Sequence, residues 1–260
     1  MRFKFFRKHP FDCIPDGGVP GSKDLPTNIS IGADCTPALT LRELGIREAS
    51  FPFDWVTTPL ESVIALFRCD FQSFMDLEEI EILDIASDEW YKPNHAPRYA
   101  YNRKCGIGYH HELTSEGVPH PDFVAKYRRR IERMYRLFRS GTHIRMVRLK
   151  KYELQYEYTS WNAGRNQRYK DAKVMEAHRP EAEDVRMLND LGALLQRKFG
   201  TNGTRFDFVY ICSGPRFRVG ADGKVIIFEM PLKKARKVEE WSQWACRKAF
   251  RSLYPASTKN

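Results

Sequence analysis

Cys35 is the residue of this sequence best placed to act as a nucleophile. It follows Asn28-Ile29-Ser30-Ile31-Gly32, which reads as a short buried strand, and it closes the turn Ala33-Asp34-Cys35. After it comes Thr36-Pro37-Ala38-Leu39-Thr40-Leu41-Arg42-Glu43-Leu44-Gly45. Thr36 is the expected N-cap of a helix, Pro37 its first residue and Gly45 its stop. A thiolate, not a thiol, is the nucleophile, and the N–H groups and dipole of a helix N-terminus stabilise it. The alternative is a cysteine packed under the turn with no chemistry.

Thiol chemistry also needs a base, usually a histidine oriented by a carboxylate or amide. His110 and His111 end the apolar stretch Cys105-Gly106-Ile107-Gly108-Tyr109. Consecutive strand residues point to opposite faces, so one of the two can face Cys35. Asp34, Asp54, Glu112 and Asp122 are candidate orienting carboxylates, and spacing does not choose among them. His110, His111, His120 and Glu112 lack the H-E-x-x-H pattern of a zinc helix, so no metal is expected. Gly106-x-Gly108 lacks the third glycine of a dinucleotide fingerprint, and there is no Walker sequence. Gly32 could admit an anion close to the backbone, and Arg148, ending a strand, could grip a phosphate or carboxylate through its fork.

The chain has 260 residues, a formal charge of +10 and a pI near 9.3. That balance suits an anionic partner such as a nucleotide-linked donor, CoA, an acidic lipid surface or nucleic acid. The tyrosines and arginines of residues 152–169 could serve RNA, but no RNP, KH or zinc-finger pattern accompanies them. Six scattered cysteines form no C-x-x-C pair, which suits reduced thiols in a reducing compartment. The first eight residues, Met-Arg-Phe-Lys-Phe-Phe-Arg-Lys, are basic and aromatic, unlike a signal peptide. No run approaches the roughly 18–20 apolar residues of a membrane helix, so a soluble, cytoplasmic protein without a membrane span is expected.

The elements that must position Cys35 alternate. Residues 1–27, rich in Gly, Pro and Asp, read as a flexible N-terminal arm. Residues 28–254 read as a single α/β domain with a polar insertion around 150–180, and 255–260 as a tail. Residues 60–67 look helical, with a short amphipathic piece at 71–77, while 80–85 are ambiguous and 88–104 loop-like. Val124, Tyr127, Ile131, Met134 and Phe138 form one apolar stripe on a helix over 123–139. Strands are expected at 143–149 and 205–212 around a helix over 181–199. Gly220-Ala221-Asp222-Gly223 signals a hairpin between 216–219 and 225–230, before a closing helix over 238–253. This order predicts a three-layer α/β fold, a largely parallel sheet with helices on both faces and a C-terminal hairpin. Sites in such sheets lie beyond the carboxyl ends of the strands, where Cys35 falls.

Three blocks also carry a family resemblance. Ile29-Ser30-Ile31-Gly32-Ala33-Asp34-Cys35-Thr36-Pro37-Ala38, then Leu41-Arg42-Glu43-Leu44-Gly45-Ile46-Arg47, then Ser50-Phe51-Pro52-Phe53-Asp54-Trp55 resemble the N-terminal signature of a domain family labelled papain-like cysteine peptidase. Cys105-Gly106-Ile107-Gly108-Tyr109-His110-His111 is similar to its later segment. The resemblance covers residues 28–150 well and 180–230 loosely. It implies Cys35 as nucleophile and His110 as base. Where the family has His-Asp this chain has His110-His111 followed by Glu112, which opens the question of the orienting carboxylate, with Asp54 the second choice. It also raises a papain-like α+β fold as the alternative architecture.

The leading expectation is a cysteine-dependent acyl-transfer enzyme, hydrolase or acyltransferase, acting on a glycan. Cys35, His110, Asp54 and Glu112 are its expected catalytic set. Gly32, Asp34, Thr36, His111 and Arg148 are its expected substrate-binding residues, with N–H groups around 34–36 for the oxyanion. No cofactor is required, although CoA or a nucleotide sugar could be the donor and a glycan the acceptor. The rival readings are a nucleotide-sugar glycosyltransferase of surface-glycan synthesis, using His110 and Arg148, and a non-catalytic module for anionic ligands or RNA.

Overall fold

The computed structural model describes residues 25–84, 98–109, 111–150, 179–231 and 238–255. Its elements run β1 (Thr27–Ser30), α1 (Thr36–Glu43), β2 (Val56–Thr57), α2 (Leu60–Arg68), β3 (Ile80–Asp84), β4 (Arg98–Asn102) and β5 (Ile107–Tyr109). There follow α3 (Phe123–Phe138), β6 (His143–Leu149), α4 (Glu181–Phe199), β7 (Arg205–Gly214), β8 (Arg218–Asp222), β9 (Val225–Pro231) and α5 (Val238–Leu253).

Five strands form the main sheet in the order β1-β6-β7-β9-β8. β1, β6, β7 and β9 are parallel, and β8 closes the edge as the antiparallel arm of the expected hairpin. Gly223, at φ +58, makes the turn between β8 and β9, where a residue with a Cβ would be strained.

Period-two alternation assigns each face of this sheet. Ile144 and Met146 of β6, with Phe206, Phe208 and Tyr210 of β7, face a core shared with α2, α3 and α4. Val147 and Leu149 of β6, with Val209 and Ile211 of β7, face Leu41 of α1 and Trp241, Ala245, Ala249 and Phe250 of α5. The result is the expected three-layer arrangement, a mostly parallel sheet with helices on both faces. α3 buries Tyr127, Ile131, Met134 and Phe138 of its expected stripe, and adds Phe123 and Arg130.

A second sheet was not expected. β2-β5-β4-β3 is fully antiparallel, with Val56 opposite Tyr109 and Ala100 opposite both Tyr109 and Ile82. The ambiguous segment 80–85 contributes β3, and the segment expected to be a loop, 88–104, contributes β4. Tyr, Asn and Arg dominate β4, so its burial comes from the partner strands rather than from its own apolarity. The arm at residues 1–24, the insertion at 151–178 and the tail from 256 lie outside the described residues. Among the described residues no helix is long and apolar enough to cross a membrane.

Both sheets contribute to one core, in which Phe53, Phe67, Phe71, Phe74, Phe138 and Tyr109 are buried. Phe138 packs against Phe199 and Phe206 at ring-centroid distances of 5.3 and 5.1 Å. Phe138→Ala should cost about 3–5 kcal/mol of unfolding free energy. Urea titration is expected to show a lower midpoint at unchanged slope, the signature of lost packing rather than a changed native state.

Candidate active site around Cys35

Cys35 is itself the N-cap of α1, with φ −72 and ψ −11, and Thr36 is the first helical residue. The expected cap lies one residue too late because Asp34 Oδ1 accepts the Thr36 N–H at 2.8 Å. That local turn starts the helix early. The Cys35 carbonyl accepts the Leu39 N–H at 2.9 Å, the first helical hydrogen bond. The thiol therefore stands half-buried at the start of a helix, beyond the carboxyl end of β1. A thiolate there gains from the N–H groups and dipole of α1.

The turn is anchored from below. Ile31 donates to the Val147 carbonyl at 2.9 Å, Leu149 donates to Gly32 at 3.2 Å, and Thr58 donates to Ala33 at 3.0 Å. Arg148 is buried, at 1% exposure, and Nη1 donates to the Ile31 carbonyl at 2.8 Å while Nη2 donates to the Thr58 carbonyl at 2.8 Å. The expectation was that Arg148 grips an anionic ligand; in the structure its fork holds the backbone of the cysteine turn. Gly32 is part of the same arrangement. At φ +91, a Cβ there would lie 2.3 Å from Thr58 Oγ1 and 2.7 Å from Arg148 Nη1. The missing side chain makes room for the clamp.

Asp54 and Glu112 are both committed to other partners. Asp54, 1% exposed, accepts from Arg47 Nη2 at 2.5 Å and from the Phe51 N–H at 2.8 Å. Burial pushes its carboxyl above the ordinary value of 3.8, against the pull of Arg47. Glu112, 2% exposed, pairs with Lys126 at 2.6 Å and accepts the Tyr127 hydroxyl at 3.1 Å. Both carboxylates hold loops together, and the structure gives neither of them an imidazole partner among the described residues.

His110 lies outside the described residues, but its neighbours on either side are described. Tyr109 pairs with Val56 in β2, two residues before Thr58. His111 is exposed and meets Trp55 edge-on, at 6.3 Å between ring centroids. The same Trp55 ring has Arg42 over it at 5.7 Å and Arg47 at 5.4 Å. Trp55, Arg42, Arg47 and Thr58 were not marked as site residues by sequence reasoning. The available signal was the Thr57-Thr58-Pro59 step before α2, and arginines at 42 and 47 flanking the helix stop. His120 and Asp122 sit elsewhere, His120 beside an apolar groove near β3 and Asp122 4.0 Å from Lys126.

A second buried polar system lies at the carboxyl end of β6. Lys150 bonds Asp184 at 3.1 Å, and Asp184 also accepts from Tyr210 at 2.6 Å and from Arg179 at 2.8 Å. Arg179 reaches Glu61 at the start of α2. These pairs fasten α4 and α2 to the sheet beside the cysteine turn.

The profile of the family described as "Putative papain-like cysteine peptidase (DUF1796)" matches residues 27–160. The chain belongs to this family. An uncharacterized protein of Acanthamoeba polyphaga mimivirus is 29% identical over 133 residues, covering 46% of this chain and 60% of the relative. The chain thus spans less than two thirds of the viral protein's length. No solved structure matches. The matched segment holds the cysteine turn, the Phe-Asp-Trp block, the second sheet and β6 with Arg148, so the family region is the region built around Cys35.

Gly32→Ala should destabilise the fold by roughly 2 kcal/mol or more, since both the backbone angle and the clamp oppose a side chain. Thermal unfolding checks it. Asp54 gives a pH signature. Its folded-state value is raised, so its contribution is fully present below the unfolded value and is lost as pH rises through the folded one. Stability measured from pH 4 upward should decline across that window, and Asp54→Asn should flatten the decline.

Proposed function

We propose that this chain is a cysteine-dependent acyl-transfer enzyme, with Cys35 as nucleophile and His110 as the base that takes its proton. The observation that carries the reading is the Cys35 thiol at the N-terminus of α1, on a turn clamped by Arg148, in a member of a family described as cysteine peptidases. The Cys35 sulfur adds to an acyl carbonyl, and His110 returns the proton to the leaving group. A thioester to Cys35 results, and water or a glycan hydroxyl resolves it, giving a hydrolase in the first case and an acyltransferase in the second.

The tetrahedral oxyanion needs N–H donors. Thr36 N–H is committed to Asp34, so the donors are the other N–H groups of the turn and of the first turn of α1. Asp34 and Thr36 thereby become positioning residues rather than substrate contacts. Arg42 over the Trp55 ring beside His111 supplies positive charge on an aromatic face, which suits an anionic acyl donor such as a CoA thioester, while Arg47 on the same ring is neutralised by Asp54. The rival nucleotide-sugar reading used His110, Arg148 and a carboxylate for binding; the Arg148 guanidinium bonds the Ile31 and Thr58 carbonyls instead, so we favour the acyl-transfer reading. A nucleophilic thiol has to be kept reduced, and we place the reaction in the cytoplasm on that ground.

Iodoacetamide labelling against pH, read by mass spectrometry, tests the assignment. Cys105 and Cys212 are internal controls, because burial pushes both thiols up to about 12. Cys35 should label with a midpoint well below the unperturbed value of about 8.5. His110→Ala should raise that midpoint, and Cys35→Ala should abolish turnover of acyl thioesters. A Cys35 midpoint at or above 8.5 that ignores His110→Ala would refute the reading.

A further inference from the structure

The side chains of β8, at the edge of the main sheet, are bare on both faces. Val219 is 50% exposed, although Phe228 opposite it on β9 is buried against α5. Phe217, two residues earlier and on the same face, is 40% exposed. On the other face, a Cβ added at Gly220 would meet no atom within 4 Å among the described residues. Cations gather along this edge. Lys248 of α5 places Nζ 4.8 Å from the Phe217 ring centroid. α5 leaves the end of β9, where Trp241 donates to the Pro231 carbonyl, and runs back to Tyr254 beside Asn28, the same direction as β8. Arg251 therefore follows Lys248 by one helical turn toward Val219, and Arg216, Lys248 and Arg251 are all exposed. Arg218 is held by Glu229 at 3.3 Å and Arg247 by Glu43 at 2.8 Å, whereas among the described residues no carboxylate pairs with Arg216, Lys248 or Arg251.

An exposed apolar pair set among unmatched cations fits a partner that offers negative charge and an apolar interior together. An acidic lipid surface does so, because its phosphates lie directly above hydrocarbon. We propose that β8, with Lys248 and Arg251 of α5, is a docking face for an anionic membrane surface. Phe217 and Val219 enter between the headgroups, and Arg216, Lys248 and Arg251 meet their phosphates. Nucleic acid fits this face less well. Base stacking needs a bare aromatic face, and the Lys248 ammonium covers one side of the Phe217 ring while Val219 has no π system. β8 lies four strand spacings from β1, roughly 19 Å, so the contact is made away from the cysteine turn.

Cosedimentation of the full chain with vesicles tests the proposal, using phosphatidylcholine alone and phosphatidylcholine mixed with phosphatidylserine. The readout needs no turnover. The native chain should pellet with the mixed vesicles and not with the neutral ones, and added salt should weaken the binding. Phe217→Ser with Val219→Ser, and separately Lys248→Glu with Arg251→Glu, should each weaken it at least about tenfold. All four side chains are exposed, and circular dichroism confirms the fold of each variant. Arg128→Glu with Arg129→Glu, at exposed positions of α3, makes the same change in net charge away from β8 and should weaken binding far less. A loss of equal size in that control overturns the proposal, because diffuse charge then suffices. A native chain that ignores the mixed vesicles overturns it, and so does vesicle binding that survives the β8 and α5 variants. Binding of single-stranded RNA lost in those same variants would then assign the face to nucleic acid instead.

Discussion

The buried guanidinium of Arg148 is the constraint on which the rest of the site depends. It leaves β6 and bonds the Ile31 carbonyl at the end of β1 and the Thr58 carbonyl just beyond β2. One side chain thus joins the main sheet to the second sheet at the base of the cysteine turn. Burying a charge costs several kcal/mol, and charge-assisted hydrogen bonds to well-placed carbonyls offset that cost only when the geometry is fixed. Lysine has no second prong to span two carbonyls. Gly32 is part of the same arrangement, because only a residue without Cβ leaves the guanidinium and Thr58 Oγ1 their places. The position of Cys35 follows from this clamp and from Asp34, which starts α1 one residue early.

Much of this was legible in the sequence, and the parts that were not share a reason. The strand-turn-helix around Cys35, the α3 stripe and the β8-β9 hairpin are local patterns: a run, a period, a turn signal. The parallel main sheet followed from their alternation. The second sheet escaped because its strands are short or polar. β2 has two residues, β5 has three, and β4 is Arg-Tyr-Ala-Tyr-Asn, so each owes its state to pairing with distant segments. The fate of the carboxylates was hidden for the same reason. Asp54 lies near Arg47 in sequence, yet Glu112 meets Lys126 and Tyr127 across a loop and a helix. Arg148 shows the limit most clearly: an arginine ending a strand has the same appearance in sequence whether it faces a ligand or a carbonyl.

The commitment of the carboxylates bears on mechanism. Both Asp54 and Glu112 are nearly fully buried and bonded to cations or donors among the described residues. A backbone carbonyl or an amide can orient an imidazole in thiol enzymes, since the requirement is one acceptor for the second ring N–H. A thiolate at a helix N-terminus also asks less of its base than a serine does, because the dipole already favours the anion.

The second sheet joins two ends of different character. At the β2 end stand Thr58, Trp55 and the residues that flank position 110, bound to the cysteine turn through Ala33 and Arg148. At the β3 end, among the described residues, stand Glu79 and Glu81, paired with Arg103, and the exposed Leu77 and Ile82. β5 and β4 lie between them, so at about 4.8 Å per strand the two ends are roughly 14 Å apart. Anything seated on β3 acts on the sheet as a body rather than on the reacting atoms. Among the described residues the sheet is four strands wide and two of its members have three residues or fewer, so its order rests on side-chain packing around Phe74 and Tyr109 more than on its ladder. The second sheet thus ties Val56 and Tyr109 to the cysteine turn through Thr58.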